Sequence, residues 1–251
     1  MTVTPNQDPL KTALKQLKLP WMLENCDHEL AEAGRKNLSP RELLCRLVAG
    51  ETEARQARAV ERRLRAAALP MDRTIETFDW EWPEQINRDQ VRHLFTLNFL
   101  REKANAVFIG TVGLGKTHIV SALGRQACEH GFNVLFSPAV DIVNALAATE
   151  DKAEYRKVLK RYLKPHMLII DELGYLPVDR VGAELLFQVL SKRYETASTV
   201  ITTNRTYKEW APTFANDASL TSAVLDRVLH HCQTITITGK SYRMKERIDT
   251  E

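Results

Sequence analysis

Residues 105–118 read Asn-Ala-Val-Phe-Ile-Gly-Thr-Val-Gly-Leu-Gly-Lys-Thr-His. The apolar run 107–109 predicts a buried strand, and the helix-like run 118–128 follows directly. Between them Gly110, Gly115, Lys116 and Thr117 satisfy G-x-x-x-x-G-K-[ST]. Glycine lets the backbone turn tightly enough to aim successive N–H groups at phosphate oxygens, and the helix that follows adds its positive N-terminal end. The phosphate-binding set is therefore Gly110, Thr111, Val112, Gly113, Leu114, Gly115, Lys116, Thr117 and His118, most of them through backbone groups. Lys116 is expected to neutralise β- and γ-phosphates, and the Thr117 hydroxyl to ligate Mg²⁺. Kinases of small molecules use the same loop, so it does not by itself choose hydrolysis over transfer.

Downstream, short β-branched or apolar runs at 133–136, 167–170, 199–202 and 234–237 alternate with longer helical stretches. With 107–109 they predict an α/β fold, a five-stranded, mostly parallel sheet flanked by helices. Ligands of such sheets bind at the carboxyl ends of the strands. There the polar residues fall: Asp171-Glu172 ends the third strand and Asn204-Arg205 follows the fourth. Asp171 is expected to hold the Mg²⁺ shell, and Glu172 to orient and deprotonate water. This pair fits attack by water better than attack by a substrate hydroxyl, although an acidic turn after a buried strand would look the same. Asn204 could hydrogen-bond both the attacking water and the γ-phosphate, or serve only as a turn residue. Asp226-Arg227 lies in an apolar helical run; Arg227 reads either as an arginine finger or as half of a local helical ion pair.

The 251 residues carry 44% hydrophobic and 27% charged side chains, enough for a full α/β core plus a smaller appendage. A net charge of +3 is too mild to argue for nucleic acid or an anionic membrane surface. Cys26, Cys45, Cys128 and Cys232 form no CxxC pair, and His230-His231 has no third ligand nearby in sequence, so no structural zinc site is expected. No apolar stretch approaches the roughly 18 residues of a membrane span. A reducing, cytoplasmic setting is the expectation.

Residues 1–70 read as a small all-α domain, 71–88 as a connector rich in aromatic and acidic residues, and 89–251 as the main domain. Asp8-Pro9 caps a first helix and Leu19-Pro20 breaks it. A second helix is expected to stop at Gly34, and Ser39-Pro40-Arg41-Glu42 to cap a third, with Gly50 a break within it. Arg55, Arg58, Arg62 and Arg65, spaced three, four and three apart, share one helical face; Lys157, Lys160, Arg161 and Lys164 repeat the spacing. Either stripe could neutralise DNA phosphates without reading bases, or be an ordinary solvated face.

Residues 110–118, 167–177, 199–205, 223–229 and 239–243 together resemble the IstB/DnaC family of AAA+ ATPases, and within it the IstB-like transposition helpers. The likeness extends to the helical N-terminus and to the approach segment 74–83, Thr-Ile-Glu-Thr-Phe-Asp-Trp-Glu-Trp-Pro. It implies an AAA+ P-loop fold, ATP and Mg²⁺ as cofactors, Lys116 and Thr117 as Walker A, and Asp171 and Glu172 as Walker B. Asn204 becomes sensor 1, Arg227 the arginine finger and Arg243 sensor 2. The implied partners are duplex DNA, bound without sequence preference, the transposase of the same mobile element, and further copies of the chain with ATP between subunits; no membrane is involved. A DnaC-like replicative helicase loader is the alternative. The chain departs from the family at Thr111-Val112, where relatives often carry proline; because backbone N–H groups make the phosphate contacts, only a looser loop is expected.

Overall fold

A computed structural model describes residues 8–175 and 178–242. The chain divides into two compact units, Met1–Arg62 and Arg63–Glu251.

The first unit is helical: α1 is Pro9–Gln16, α2 is Pro20–Arg35, and α3, Pro40–Ala67, begins here and runs on into the second unit. Asp8 caps α1 by accepting from the Leu10 N–H at 2.9 Å. At the start of α3, Glu42 accepts from the Ser39 N–H at 2.7 Å and the Ser39 hydroxyl accepts from the Glu42 N–H at 3.3 Å, a reciprocal capping box. Neither expected glycine break occurs. Helix α2 continues through Gly34 to Arg35, and α3 passes unbroken through Gly50. A Cβ at Gly50 would lie 2.2 Å from the Trp21 indole, so this glycine serves close packing of α2 on α3. Glu51, 4% exposed, accepts from the N–H groups of Trp21 at 2.9 Å and Met22 at 3.2 Å, satisfying the otherwise orphaned start of α2.

In the second unit the sheet has six strands among the described residues: β1 Gln85–Ile86, β2 Asn105–Ile109, β3 Val134–Pro138, β4 Met167–Leu173, β5 Ser198–Thr203 and β6 Cys232–Thr238. Five coincide with the expected runs. The sixth, β1, lies in the expected connector and pairs antiparallel with β6 at the sheet edge; two residues are too few to carry a periodicity. The strand order is β1-β6-β2-β5-β4-β3, parallel throughout except at β1. The helices are α4 Arg88–Leu94, α5 Asn98–Arg101, α6 Lys116–Glu129, α7 Ala139–Ala147, α8 Lys152–Leu163, α9 Arg180–Arg193 and α10 Ala218–Leu229.

Alternation along the central strands sends Phe108, Phe136, Ile169 and Val200 to a core shared with α6, and Val107, Leu135, Ile170 and Ile201 to a core shared with α7, α9 and α10. Arg193, at the end of α9 and 1% exposed, donates to the carbonyls of Tyr162 (2.8 Å), Pro165 (3.1 Å) and Ser198 (2.5 Å) and to the Thr199 hydroxyl (3.2 Å). Burial pushes its pKa down to about 10. The order β2-β5-β4 sets three carboxyl-terminal strand ends side by side, which is where the site forms.

Candidate active site

The loop after β2 needs its glycines. Gly113 has φ +82° and Gly115 φ +81°, the left-handed region, and a Cβ at Gly115 would fall 2.6 Å from the Phe78 ring. Lys116 opens α6 and folds its ammonium back onto the loop, donating to the carbonyls of Gly110 at 2.7 Å and Thr111 at 2.8 Å. These are neutral acceptors that an anionic phosphate would outcompete. Thr117, the next residue of α6, lies 3.2 Å from each carboxylate oxygen of Asp171 at the far end of β4. A hydroxyl and a nearly buried carboxylate form an all-oxygen donor set, the kind Mg²⁺ prefers.

Beyond Ile170 the β4–β5 ladder shifts register: Ile170 pairs with Ile201, but Leu173 pairs with Thr203. Asp171 and Glu172 therefore stand opposite the single residue Thr202, a bulge that turns one carboxylate inward and leaves the other exposed. Glu172 adopts φ +58°, unusual for a non-glycine residue. Thr202 is fully buried; its hydroxyl donates to Asp171 Oδ1 and accepts from the Glu172 N–H at 2.9 Å. Asn204, just past β5, is exposed beside them.

These groups border one cleft of about 410 Å³ whose lining includes Lys116, Thr117, Glu172, Thr202 and Asn204. The lining also includes Phe78 and Trp82, from the segment expected to be a connector, and Tyr242, from the 239–243 segment on which the family resemblance places sensor 2. The Trp82 indole N–H donates to the Lys240 carbonyl at 2.8 Å, and its ring meets Tyr242 edge-on at 5.5 Å. His118 also lines the cleft, with Nε2 3.0 Å from the Thr74 carbonyl and its ring edge-on to Phe78 at 5.4 Å, so it ties α6 to the connector. The aromatic content of 74–83 was the available signal for this lining; for Thr202 it was only a threonine in a buried strand.

The family model described as IstB-like ATP binding protein matches residues 12–250. The ATP-binding protein of insertion sequence IS5376 from Geobacillus stearothermophilus is 37% identical over 232 residues, covering 92% of each chain. That of IS21 from Pseudomonas aeruginosa is 37% identical over 238 residues, 95% of this chain and 89% of the relative. The chain belongs to the IstB-like ATP-binding proteins. Among solved structures, AMPPCP-bound DnaA from Aquifex aeolicus superposes with a TM-score of 0.57 at 19% identity, over 73% of this chain and 57% of that one. At that identity the likeness concerns the AAA+ P-loop fold alone.

The remaining candidates of this IstB-like chain lie elsewhere. Arg227, on α10, is not part of the cleft wall; it donates to the Ala223 carbonyl at 2.9 Å and its guanidinium lies 5.0 Å from the Phe187 ring centroid. Arg243 is outside the described residues. Arg55, Arg58, Arg62 and Arg65 are all exposed along α3, but Arg58 pairs with Glu51 at 3.0 Å and Arg55 donates to the Lys18 carbonyl at 3.3 Å, so two of the four already serve the helical unit. Lys157, Lys160, Arg161 and Lys164 are exposed on α8 and just past its end. His230 and His231 do have a third polar neighbour: Glu195, remote in sequence, offers a carboxylate oxygen within 4.8 Å of both rings' nitrogens. The Tyr194 hydroxyl, 2.8 Å from His230 Nδ1, already engages that imidazole, and all three groups are exposed. The four cysteines are free. Among the described residues no helix is long and apolar enough to cross a membrane.

Proposed function

We infer that this IstB-like protein is a Mg²⁺-dependent ATPase that assists transposition in the bacterial cytoplasm: with ATP it oligomerises on duplex DNA, remodels it, and recruits or stimulates the transposase of its own mobile element. One observation carries the enzymatic part. Lys116, Thr117, Glu172 and Asn204, from three adjacent strand ends, line a single cleft, and Asp171 lies behind it in contact with Thr117.

In this reading Lys116 exchanges the carbonyls of Gly110 and Thr111 for phosphate oxygens, while the backbone N–H groups of 110–118 cradle the rest of the chain of phosphates. Thr117 and Asp171 hold Mg²⁺, which when bound offsets charge on the β- and γ-phosphates. Glu172 accepts a proton from water as the water oxygen bonds to the γ-phosphorus; the β–γ bridging oxygen leaves with its electron pair as part of ADP. Asn204 hydrogen-bonds that water and the γ-phosphate. Arg227, remote from its own cleft, supplies positive charge to the cleft of a neighbouring copy, and Arg243 contributes as sensor 2.

The transposition part is supported by relatives named for insertion sequences at 37% identity over most of their length. The exposed basic groups of α3 and α8 supply the sequence-independent DNA contacts. A helicase-loader role has only fold likeness behind it.

The test measures phosphate release, and size in solution with ATP and duplex DNA, for the wild type and Glu172→Gln. Loss of turnover in the variant by about 10²-fold or more, with ATP-dependent assembly on DNA, supports the reading. Wild-type protein that neither assembles nor loses turnover on this substitution overturns it.

A further inference from the structure

We propose that Thr202 is a positioning residue of the hydrolytic centre, its one hydroxyl fixing both the orientation of the Asp171 carboxylate and the backbone from which Glu172 projects. This rests on the ATPase reading given above.

At the β4 bulge two residues face one, so the Glu172 N–H has lost its place in the regular ladder. A part-buried N–H without a partner is costly, and the Thr202 oxygen, 2.9 Å away, accepts from it. A hydroxyl has one proton and two lone pairs. Having accepted from Glu172, Thr202 donates its proton to Asp171 Oδ1. The Thr117 hydroxyl contacts both oxygens of the same carboxylate. The metal-side carboxylate is thus gripped from β5 and from α6, and the residue after it is held at φ +58° by the β5 grip. Strain of this kind persists only where surrounding contacts over-determine it. Thr202 itself has no exposed surface in the central strand of the β2-β5-β4 triplet, and its hydroxyl is engaged by Asp171 and the Glu172 N–H.

Valine has the shape of threonine but offers neither proton nor lone pair; serine offers both without the methyl group. In Thr202→Val the Asp171 carboxylate gains rotational freedom and the Glu172 backbone loses its tether. Loss of a group that orients a metal ligand lowers metal affinity or activity by about 10–100-fold, and misplacing a reacting group by about 1 Å costs up to about 10²-fold in rate.

The experiment compares full-length wild type, Thr202→Val, Thr202→Ser and Glu172→Gln in three measurements: kcat and KM for ATP, the Mg²⁺ concentration that half-saturates binding of a fluorescent ATP analogue, and the melting temperature. Thr202→Val is expected to bind the analogue in EDTA as the wild type does, to need about 10–100-fold more Mg²⁺, and to lose about 10–100-fold in kcat with KM changed only a few-fold. Thr202→Ser is expected to stay within about threefold of wild type, because the hydroxyl is what acts. A folded Thr202→Val with wild-type Mg²⁺ response and kcat overturns the proposal, as does a Thr202→Ser that falls as far as valine. If the valine variant does not fold, Thr202→Ala set against Thr202→Ser makes the same comparison. Absence of Glu172-dependent turnover in the wild type would defeat the ATPase reading alone, and the Mg²⁺ titration of binding would still decide the role of Thr202.

Discussion

Tyr242 donates its backbone N–H to the carbonyl of Gly113 at 2.8 Å, so the segment that follows β6 is fastened to the middle of the phosphate loop. The fit leaves no room for a side chain: a Cβ on Gly113 would stand 2.0 Å from Ser241 Oγ, at a φ of +82° that L-residues avoid. Gly113→Ala must therefore either displace the tail or flatten the loop. The left-handed backbone alone costs about 1–2 kcal/mol, so ATP affinity is expected to fall about tenfold or more. Val112→Ala, one position away and 46% exposed, is expected to change affinity less than twofold. Titration with a fluorescent ATP analogue checks both, and equal affinities for the two variants would remove the tail from any account of the site.

How much of this site was legible beforehand depended on the range of each interaction. The phosphate loop and the strand ending in Asp171-Glu172 announce themselves because their residues are contiguous and each sits at a strand end. Asn204 gained meaning only from lying after a neighbouring strand, which is a property of sheet order. Thr202 shows in sequence only as a threonine in a buried strand, since the bulge alone sets it against two residues of β4. The same limit explains Gly50 and Glu195. A glycine pressed against the Trp21 indole looks in sequence like any helix breaker, and a carboxylate 35 positions before His230 cannot be placed beside it until the fold is known. The edge strand β1 has two residues, too few to show alternation in sequence.

Arg193 is a buried cation held by carbonyls and a hydroxyl, and it links the end of α8, the end of α9 and the start of β5. Arg193→Leu would strip several buried acceptors of their donor, each worth about 1–3 kcal/mol if left unpaired. A net loss of about 3 kcal/mol is expected, which at about 2–4 °C per kcal/mol lowers the melting temperature by about 6–12 °C. Arg193→Lys, with three donors instead of five, is expected to fall between the two. Calorimetry showing no change for the leucine variant would contradict the staple.

The thiols should separate by burial. Desolvation pushes Cys128 up to about 11 and Cys232 up to about 12, so neither is a thiolate at pH 8, whereas Cys45 is exposed. In native protein Cys45 is expected to react with a chromogenic disulfide within minutes and Cys128 and Cys232 only after denaturation. The same shifts give the sign of a pH effect. An unfolded thiol ionises near 9, before the folded one, so between about pH 9 and 11 the unfolded state sheds protons first and stability falls as pH rises. Fast labelling of all four cysteines in native protein would refute the burial pattern.

If α8 meets DNA, its lysines act by displacing counterions. Each lost phosphate contact reduces the slope of log affinity against log salt by about 0.9. Replacing Lys157 and Lys160 by alanine is therefore expected to flatten that slope by up to about 2 and to weaken binding to unrelated duplexes equally. An unchanged slope would return these exposed residues to the status of a solvated helix face.

Arg227 and Lys116 allow a direct test of whether the ATP site is shared between copies. Arg227 packs on Phe187 and does not reach the cleft that holds Lys116 in the same chain. If it acts on a neighbouring cleft, Lys116→Ala and Arg227→Ala each inactivate a site for a different reason. Alone, each variant is expected to lose about 10³-fold or more in turnover. Mixed in equal amounts, they place an intact Lys116 from one chain beside an intact Arg227 from another in about a quarter of random pairings, so a comparable share of wild-type turnover is expected to return. The recovered rate should vanish on dilution below the concentration at which the copies associate. A mixture no more active than its components, although both variants still assemble, would place Arg227 outside the reaction and leave its contact with Phe187 as its whole role.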